Sequence, residues 1–225
     1  VDDRNGFPEN GREPIISVVA YDSFEDEYII WLWDDSEQTA PDTVEGLYSD
    51  EATVREFDNE RMMLLNYFAF LSGSRPSVFT AWNVSFDLVY LWDRAEFLNE
   101  QEDAPLQLPH KSMSPMQSIN RSDWGNEIKG VCVFDLLKGL KSTQYTDMDS
   151  YRLEDVGQEF LDVGKEDYVG RLGDLWEDDI ESLVEYNLRD VELMVELDRQ
   201  QDLIGFWREV KRVGRRPLSE ATVEA

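Results

Sequence analysis

The order of apolar runs predicts an α/β domain of three layers built on a mixed sheet. Two near-continuous apolar stretches, IISVVAYD (15–22) and EYIIWLWDD (27–35), flank the polar SFED (23–26), the pattern of two strands joined by a hairpin turn. Helical and strand-like segments then alternate, giving the order strand, strand, helix, strand, helix, strand, helices. The 225 residues are 41% hydrophobic, with seven Trp and eleven Phe, enough to bury a core in spite of the charge.

Each element has a local reason. Residues 1–14, VDDRNGFPENGREP, are polar with Gly and Pro and read as a loop, as do residues 36–50. In SDEATVREFDNERMMLLNYFAFLS (49–72) the second half carries the helical period. Phe57, Arg61, Leu64, Leu65 and Phe68 fall near one face there, and Gly73 and Pro76 end it. SVFTAW (77–82) is a short strand, after which Asn83 or Ser85 can cap a helix bearing Leu88, Leu91, Trp92 and Phe97. Residues 99–125 are polar, hold three Pro and show little period, so they read as a loop insertion. IKGVCVFDLLKGL (128–140) contains a strand ending near Asp135, and YRLEDVGQEFL (151–161) and roughly 174–204 are helices.

Charge narrows the class. Forty-nine acidic residues face 21 basic ones, a net −28. Aromatic content argues against disorder. Cation binding, nucleic-acid mimicry and adaptation to molar salt remain, and the scatter of acids through every segment favours salt adaptation. At about 1 M salt the Debye length is roughly 3 Å, so such a surface still tolerates a polyanion. No apolar run reaches the length of a membrane span, and the first residues lack a basic-then-apolar leader pattern, so the chain reads as soluble and cytoplasmic with no membrane partner. The single Cys132, placed on a strand, reads as core and excludes an internal disulfide. The single His110, in the Pro-rich stretch, reads as loop surface.

The helix near 180–201 carries an oddity. With Ile180 at zero, Leu183, Val184, Val191, Met194 and Val195 lie within about 60°, while Glu181, Glu185, Arg189, Glu192 and Glu196 form a solvated face. Asp190 falls near 280°, beside Leu183, Leu193 and Leu197, with Tyr186 one turn earlier at about 240°. A carboxylate on a core flank needs a pair, hydrogen bonds or a metal, so Asp190 is either satisfied by a backbone or hydroxyl group or is a ligand. Asp179 and Asp198 also leave the polar face, but near helix ends. Asp87, in the first turns after the strand 77–82, is either a dipole-favoured acid or a second ligand. Two carboxylates from different elements, each near a strand end, suit hard ions such as Mg²⁺ or Mn²⁺.

These segments resemble a known family. RPSVFTAWNVSFDLVYLWDRAEFL (75–98) closely resembles the exonuclease II region of family B DNA polymerases, and YNLRD (186–190) their exonuclease III motif, Tyr-x3-Asp. NERMMLLNYFAFL resembles the preceding helix, IKGVCVFDLL the strand between the motifs, and YRLEDVGQEFLDVGKED the stretch after it. The resemblance implies a ribonuclease-H-like 3′→5′ proofreading exonuclease of the DEDD type with tyrosine, over residues 1–217. It implies a mixed five-stranded sheet whose first strand is truncated, a lead-in to a palm domain at 218–225, and a salt-adapted archaeal source. It further implies that Asp87 and Asp190 ligate two Mg²⁺ or Mn²⁺ ions and that Tyr186 aims the attacking water. Asn83 and Phe86 would line the cleft for a single-stranded DNA 3′ end, unless they are only a helix cap and a core residue. The family's Asp-x-Glu motif has no counterpart here, so the expected chain is a piece of a polymerase whose hydrolytic centre lacks two ligands and is inactive alone. Lys129, Lys138 and Lys141 are phosphate candidates, with a solvated surface the more ordinary role. A non-catalytic module that binds single-stranded DNA or braces the polymerase, and a stand-alone DEDD nuclease, are the rivals.

Overall fold

The computed structural model describes residues 1–4, 6, 8, 11–34, 52–101, 106–122, 125–145, 147–163 and 171–215. The expected loop at 36–50 and the lead-in at 218–225 lie outside them. The chain divides into two compact units, one of Val1–Phe70, Tyr90–His110 and Asp167–Glu192, the other of Leu71–Val89, Lys111–Glu166 and Leu193–Ala225.

The first unit is organised by one strand. β1 (Ser17–Asp22), β2 (Glu27–Trp33) and β3 (Ala52–Phe57) pair in the order β1-β2-β3, antiparallel then parallel. The SFED turn closes the hairpin, pairing Asp22 with Glu27. Ile29, Ile30, Trp31 and Leu32 are all buried, as a central strand covered on both faces requires. Side chains alternate along a strand, so the run faces two ways. Ile30 and Leu32 cluster with Leu175 of α5 (Leu172–Asp178) and with Leu183, Val184 and Leu188 of α6 (Ile180–Gln201). Trp31 faces α1 (Glu60–Ser74), its Nε1 donating to Asn66 Oδ1 at 2.9 Å and its ring 5.0 Å from those of Tyr67 and Phe70. Helix, sheet and helix pair are the expected three layers.

Phe57 corrects the sequence reading: it ends β3 rather than opening a helix. ATVREF is rich in strand formers and its backbone is paired along β2, while Asn59 Oδ1 accepts the Met62 N–H at 2.9 Å and starts α1 two residues later.

A buried ion pair ties the loop before β1 to two helices. Glu60 in α1 accepts from Arg94 of α2 (Val84–Asn99) through Nε at 2.7 Å and through a second nitrogen at 2.6 Å, and from the Ile15 N–H at 2.7 Å. Arg94 also donates to the carbonyls of Arg12 at 2.6 Å and Gly11 at 3.3 Å. Gly11 sits at φ +63°, and a Cβ there would lie 2.4 Å from the Arg94 backbone nitrogen, so only glycine fits. Nearby, buried Asp2 accepts Arg4 Nε at 2.9 Å, and Asp3 Oδ1 accepts the Gly173 N–H at 3.0 Å at the start of α5. His110 is buried rather than on a loop surface; its ring lies 3.5 Å from Glu96 Oε1 and 3.4 Å from the Leu108 carbonyl.

In the second unit β4 (Val78–Ala81) pairs in parallel with β7 (Cys132–Asp135), and β5 (Ile119–Ser122) with β6 (Gly125–Ile128) in a hairpin. The stretch 99–125, expected as an unstructured insertion, therefore contains a 3-10 turn at His110–Met113 and the first hairpin strand. Four-residue strands paired through their backbones leave too little side-chain alternation to read. Where five strands in one mixed sheet were expected, the described strands group as three, two and two. Cys132 is only half-buried. Phe134, Leu136 and Leu140 of α3 (Leu136–Lys141), Val156 of α4 (Leu153–Leu161), Leu197, and Leu203 and Trp207 of α7 (Leu203–Gly214) form the core. Trp207 Nε1 donates to the Gly139 carbonyl at 3.0 Å, and a Cβ on Gly139 would lie 2.7 Å from Phe134 Cζ. Among the described residues no helix is long and apolar enough to cross a membrane.

Two stability outcomes follow from the first unit. Glu60→Ala or Arg94→Ala strands a buried charge and should cost about 3–5 kcal/mol in denaturant unfolding, while the paired change to Leu and Met should cost less than either. Asp2 is held below its ordinary 3.8, chiefly by the Arg4 side-chain hydrogen bond. Its folded value is depressed, so its stabilisation is complete above pH 3.8 and is lost as pH falls below that. Melting curves between pH 5 and 2 should show a shallower acid loss for Asp2→Asn than for the parent.

Candidate active site

Three acids of α6 and its flanks leave the solvated face, and the structure separates them. Asp179 precedes the helix; its Oδ1 accepts the Ser182 N–H at 3.1 Å and its Oδ2 the Ser182 hydroxyl at 2.7 Å. Asp198 is half-buried near the other end, and its Oδ1 accepts the Ile204 N–H at 2.9 Å at the start of α7. Burial raises the Asp198 carboxyl, with the Ile204 N–H opposing that rise. Both are caps, satisfying N–H groups that every helix start leaves without partners.

Asp190 has no such task, since mid-helix N–H groups are already bonded within the helix. It is half-buried, as is Tyr186 one turn before it, while Glu181, Glu185 and Glu196 are exposed. Leu183, Leu193 and Leu197, its angular neighbours, are buried. Leu183, Val184 and Leu188 hold this part of the helix against β2, which fixes the flank that Tyr186 and Asp190 occupy in the first unit.

Asn83, Phe86 and Asp87 belong to the second unit, at the end of β4 and the start of α2. Asn83 takes φ +61°, a left-handed conformation that asparagine tolerates better than most residues, and its carbonyl accepts the Phe86 N–H at 2.9 Å. Asn83 is exposed and Phe86 half-buried. Asp87 touches solvent, yet the protein around it raises its carboxyl to about 6; a backbone hydrogen bond opposes this and the charge of Asp135 adds to it. Asp87 is exposed to solvent at the start of α2, so an ion or a strand can reach it. Lys129, Lys138 and Lys141 are exposed, and Lys141 lies 4.4 Å over the Tyr151 ring.

Asp135 is the residue that the sequence reading passed over. It ends β7, opposite Ala81 in the parallel register, and caps α3, its Oδ1 accepting the Lys138 N–H at 2.9 Å. The residue is 7% exposed, and its Oδ2 is buried without a hydrogen-bond partner among the described residues. Aspartate directly between a strand and an amphipathic helix was a legible cap signal. The orphaned oxygen was not, because only packing creates it.

Carboxylate oxygens are the donors that a hard divalent ion takes, and Asp87 offers an exposed pair of them. Among the described residues no three His, Cys, Asp or Glu side chains converge, so the donor set these residues supply is partial.

Comparison with known proteins gives the kinship. Residues 1–156 match the family model for the DNA polymerase family B exonuclease domain. A DNA-directed DNA polymerase of Escherichia phage RB69 is 27% identical over 222 residues, covering 89% of this chain and 24% of that protein. The corresponding figures are 26% over 240 residues, 94% and 26%, for a DNA-directed DNA polymerase of Enterobacteria phage T4. DNA polymerase 1 of Aeropyrum pernix is 28% identical over 197 residues, 84% of this chain and 18% of that protein. The chain thus spans about a quarter of the length of the phage relatives. The family match ends before Tyr186 and Asp190, for which the geometry of α6 is the independent argument.

If Asp179 and Asp198 are caps and Asp190 is not, substitution should sort them. Asp179→Ala and Asp198→Ala should each lose about 1 kcal/mol of stability in chemical denaturation. Neither substitution should change metal-dependent trimming of a DNA end, since both acids act on helix starts away from the middle of α6.

Proposed function

The chain belongs to the DNA polymerase family B exonuclease-domain family, and from that membership we propose that it hydrolyses the 3′-terminal phosphodiester of single-stranded DNA ends as the proofreading part of a polymerase. The observation that carries the reading is the pair Tyr186 and Asp190. They lie one turn apart and half-buried on a helix whose other off-face acids are accounted for as caps.

Asp87 and Asp190 would hold Mg²⁺ or Mn²⁺. When bound, such ions offset the charge of the scissile phosphate and ease deprotonation of the attacking water. The Tyr186 hydroxyl would hydrogen-bond that water and aim it along the line of the P–O3′ bond. The bond to the 3′ oxygen breaks, leaving a shortened strand with a free 3′ hydroxyl and a nucleoside 5′-monophosphate. Asn83 and Phe86, at the mouth of α2, are placed to meet the last sugar and base, where ring stacking tolerates any sequence. Asp87 and Asp190 would be two of the four carboxylates of the DEDD arrangement, with Tyr186 as its tyrosine, on a ribonuclease-H-like sheet, and the scattered acids suit a cell of high internal salt.

A second reading has its own support: with no three ligating side chains converging among the described residues, the domain would bind a strand or brace its polymerase without cutting.

The deciding measurement is Mn²⁺-dependent trimming of a 5′-labelled oligonucleotide in molar KCl, using this chain and the same chain extended along its reading frame. Asp87→Ala and Asp190→Ala should abolish trimming. Tyr186→Phe should slow it about 100-fold by misplacing the water. Trimming untouched by Asp190→Ala would refute the assignment, and strand binding without trimming in either form would favour the second reading.

A further inference from the structure

β4 ends at Ala81, and the next residue is held from two sides. The Trp82 N–H donates to Met194 Sδ of α6 at 3.2 Å, and the Trp82 indole Nε1 donates to the Tyr151 carbonyl, just ahead of α4, at 3.1 Å. All three residues lie in the second unit, where they pack against the core of Phe134, Val156 and Trp207. A thioether is a weak acceptor, and a packed backbone N–H is usually answered by an oxygen. Leucine at 194 would fill the same apolar space and leave that N–H unanswered. Methionine is the unbranched apolar side chain that both packs there and reaches the N–H.

What Trp82 leads into gives the bond its consequence. The pairing of β4 with β7 ends at Ala81, so the bonds to Trp82 restrain the chain as it leaves the sheet. Asn83 follows in the left-handed region at φ +61°, its carbonyl accepting the Phe86 N–H at 2.9 Å, and α2 then opens with Asp87 exposed in its first turn. A non-glycine residue keeps such a φ only where its surroundings over-determine it. With Trp82 fixed at backbone and ring, the direction in which Asn83 starts the turn is fixed too. The presentation of Asp87, one turn further on, inherits that direction.

We infer that Met194 is a positioning residue for the Asn83–Asp87 turn: by accepting the Trp82 N–H, its sulfur sets how the chain leaves β4 and so where the Asp87 carboxylate is presented. The functional consequence rests on the reading of Asp87 as an ion ligand. Met194 touches no ion and no reacting atom; it acts through Trp82. Half-buried against the core, it is held in place by packing and leaves one sulfur lone pair for the N–H.

Amide hydrogen exchange in the full 225-residue chain reads the bond, and Mn²⁺ broadening of the Asp87 backbone resonance reads its consequence. Met194→Leu keeps the volume and removes the acceptor; Met194→Gln puts an oxygen acceptor on a side chain of similar length. The leucine variant should exchange the Trp82 amide about 3–10-fold faster than the parent, with the β4 amides before it unmoved. Its Asn83–Asp87 resonances should shift, and its Mn²⁺ midpoint at Asp87 should rise about 10-fold. The glutamine variant should restore all three. A purely packing role gives instead faster exchange throughout the second unit and no rescue by glutamine, which packs worse against an apolar core, and that result overturns the inference. So does a Trp82 amide that exchanges as an open one in the parent, whatever the stability of either variant. A faster Trp82 amide with an unmoved Mn²⁺ midpoint, where Asp87→Asn abolishes the Mn²⁺ effect, overturns the inference alone. An Mn²⁺ effect untouched by Asp87→Asn overturns the ligand reading on which it stands.

Discussion

Glu60 and Arg94 meet inside the first unit with almost every polar atom engaged. The carboxylate accepts two guanidinium N–H groups and one backbone N–H, and the guanidinium spends its remaining reach on two loop carbonyls. Such a pair is a poor source of net stability, because desolvation consumes most of the attraction. Its value is geometric. It joins residues 11–15, the start of α1 and the second half of α2 at one point, immediately ahead of β1. The β1–β2 hairpin is then launched from a fixed origin, and β2 carries the side chains that hold α1 on one face and α5 and α6 on the other. The position of Tyr186 and Asp190 within this unit is inherited from that chain of contacts.

The same economy recurs at several other carboxylates among the described residues. Asp2 answers Arg4, Glu60 answers Arg94, and Asp198 answers the first N–H groups of α7. The net −28 is therefore carried mainly by acids left in water, where salt screens them. Asp135 Oδ2 and Glu56 Oε1 depart from that pattern, each buried with no hydrogen-bond partner among the described residues.

Much of this was legible in the sequence, and the parts that were not have physical reasons. The hairpin 15–33 was readable because a strand buried on both faces must be apolar throughout. The flank of α6 was readable because a 22-residue helix gives six turns over which an angular offset accumulates. β3 was missed because ATVREF alternates over too few residues to compete with the helical period that follows. β5 and β6 were missed because hairpins held by backbone pairing leave little mark on side-chain choice. His110 was misread because neighbours in the Pro-rich stretch are polar, whereas its burial comes from α2 through Glu96 and from the Leu108 backbone. Asp135 was passed over because burial of one specific oxygen is a property of packing.

Kinship and geometry also divide the argument between them. The family match covers Asp87 but stops at residue 156, so it cannot by itself speak for α6. The helix sorts the acids that leave its solvated face: Asp179 and Asp198, near its ends, accept N–H groups at helix starts, and Asp190 lies half-buried in the middle. What α6 supplies is placement: a carboxylate and a phenol one turn apart on a half-buried flank, in the unit organised by β2. In the proposed reading that pair serves a cation and the attacking water.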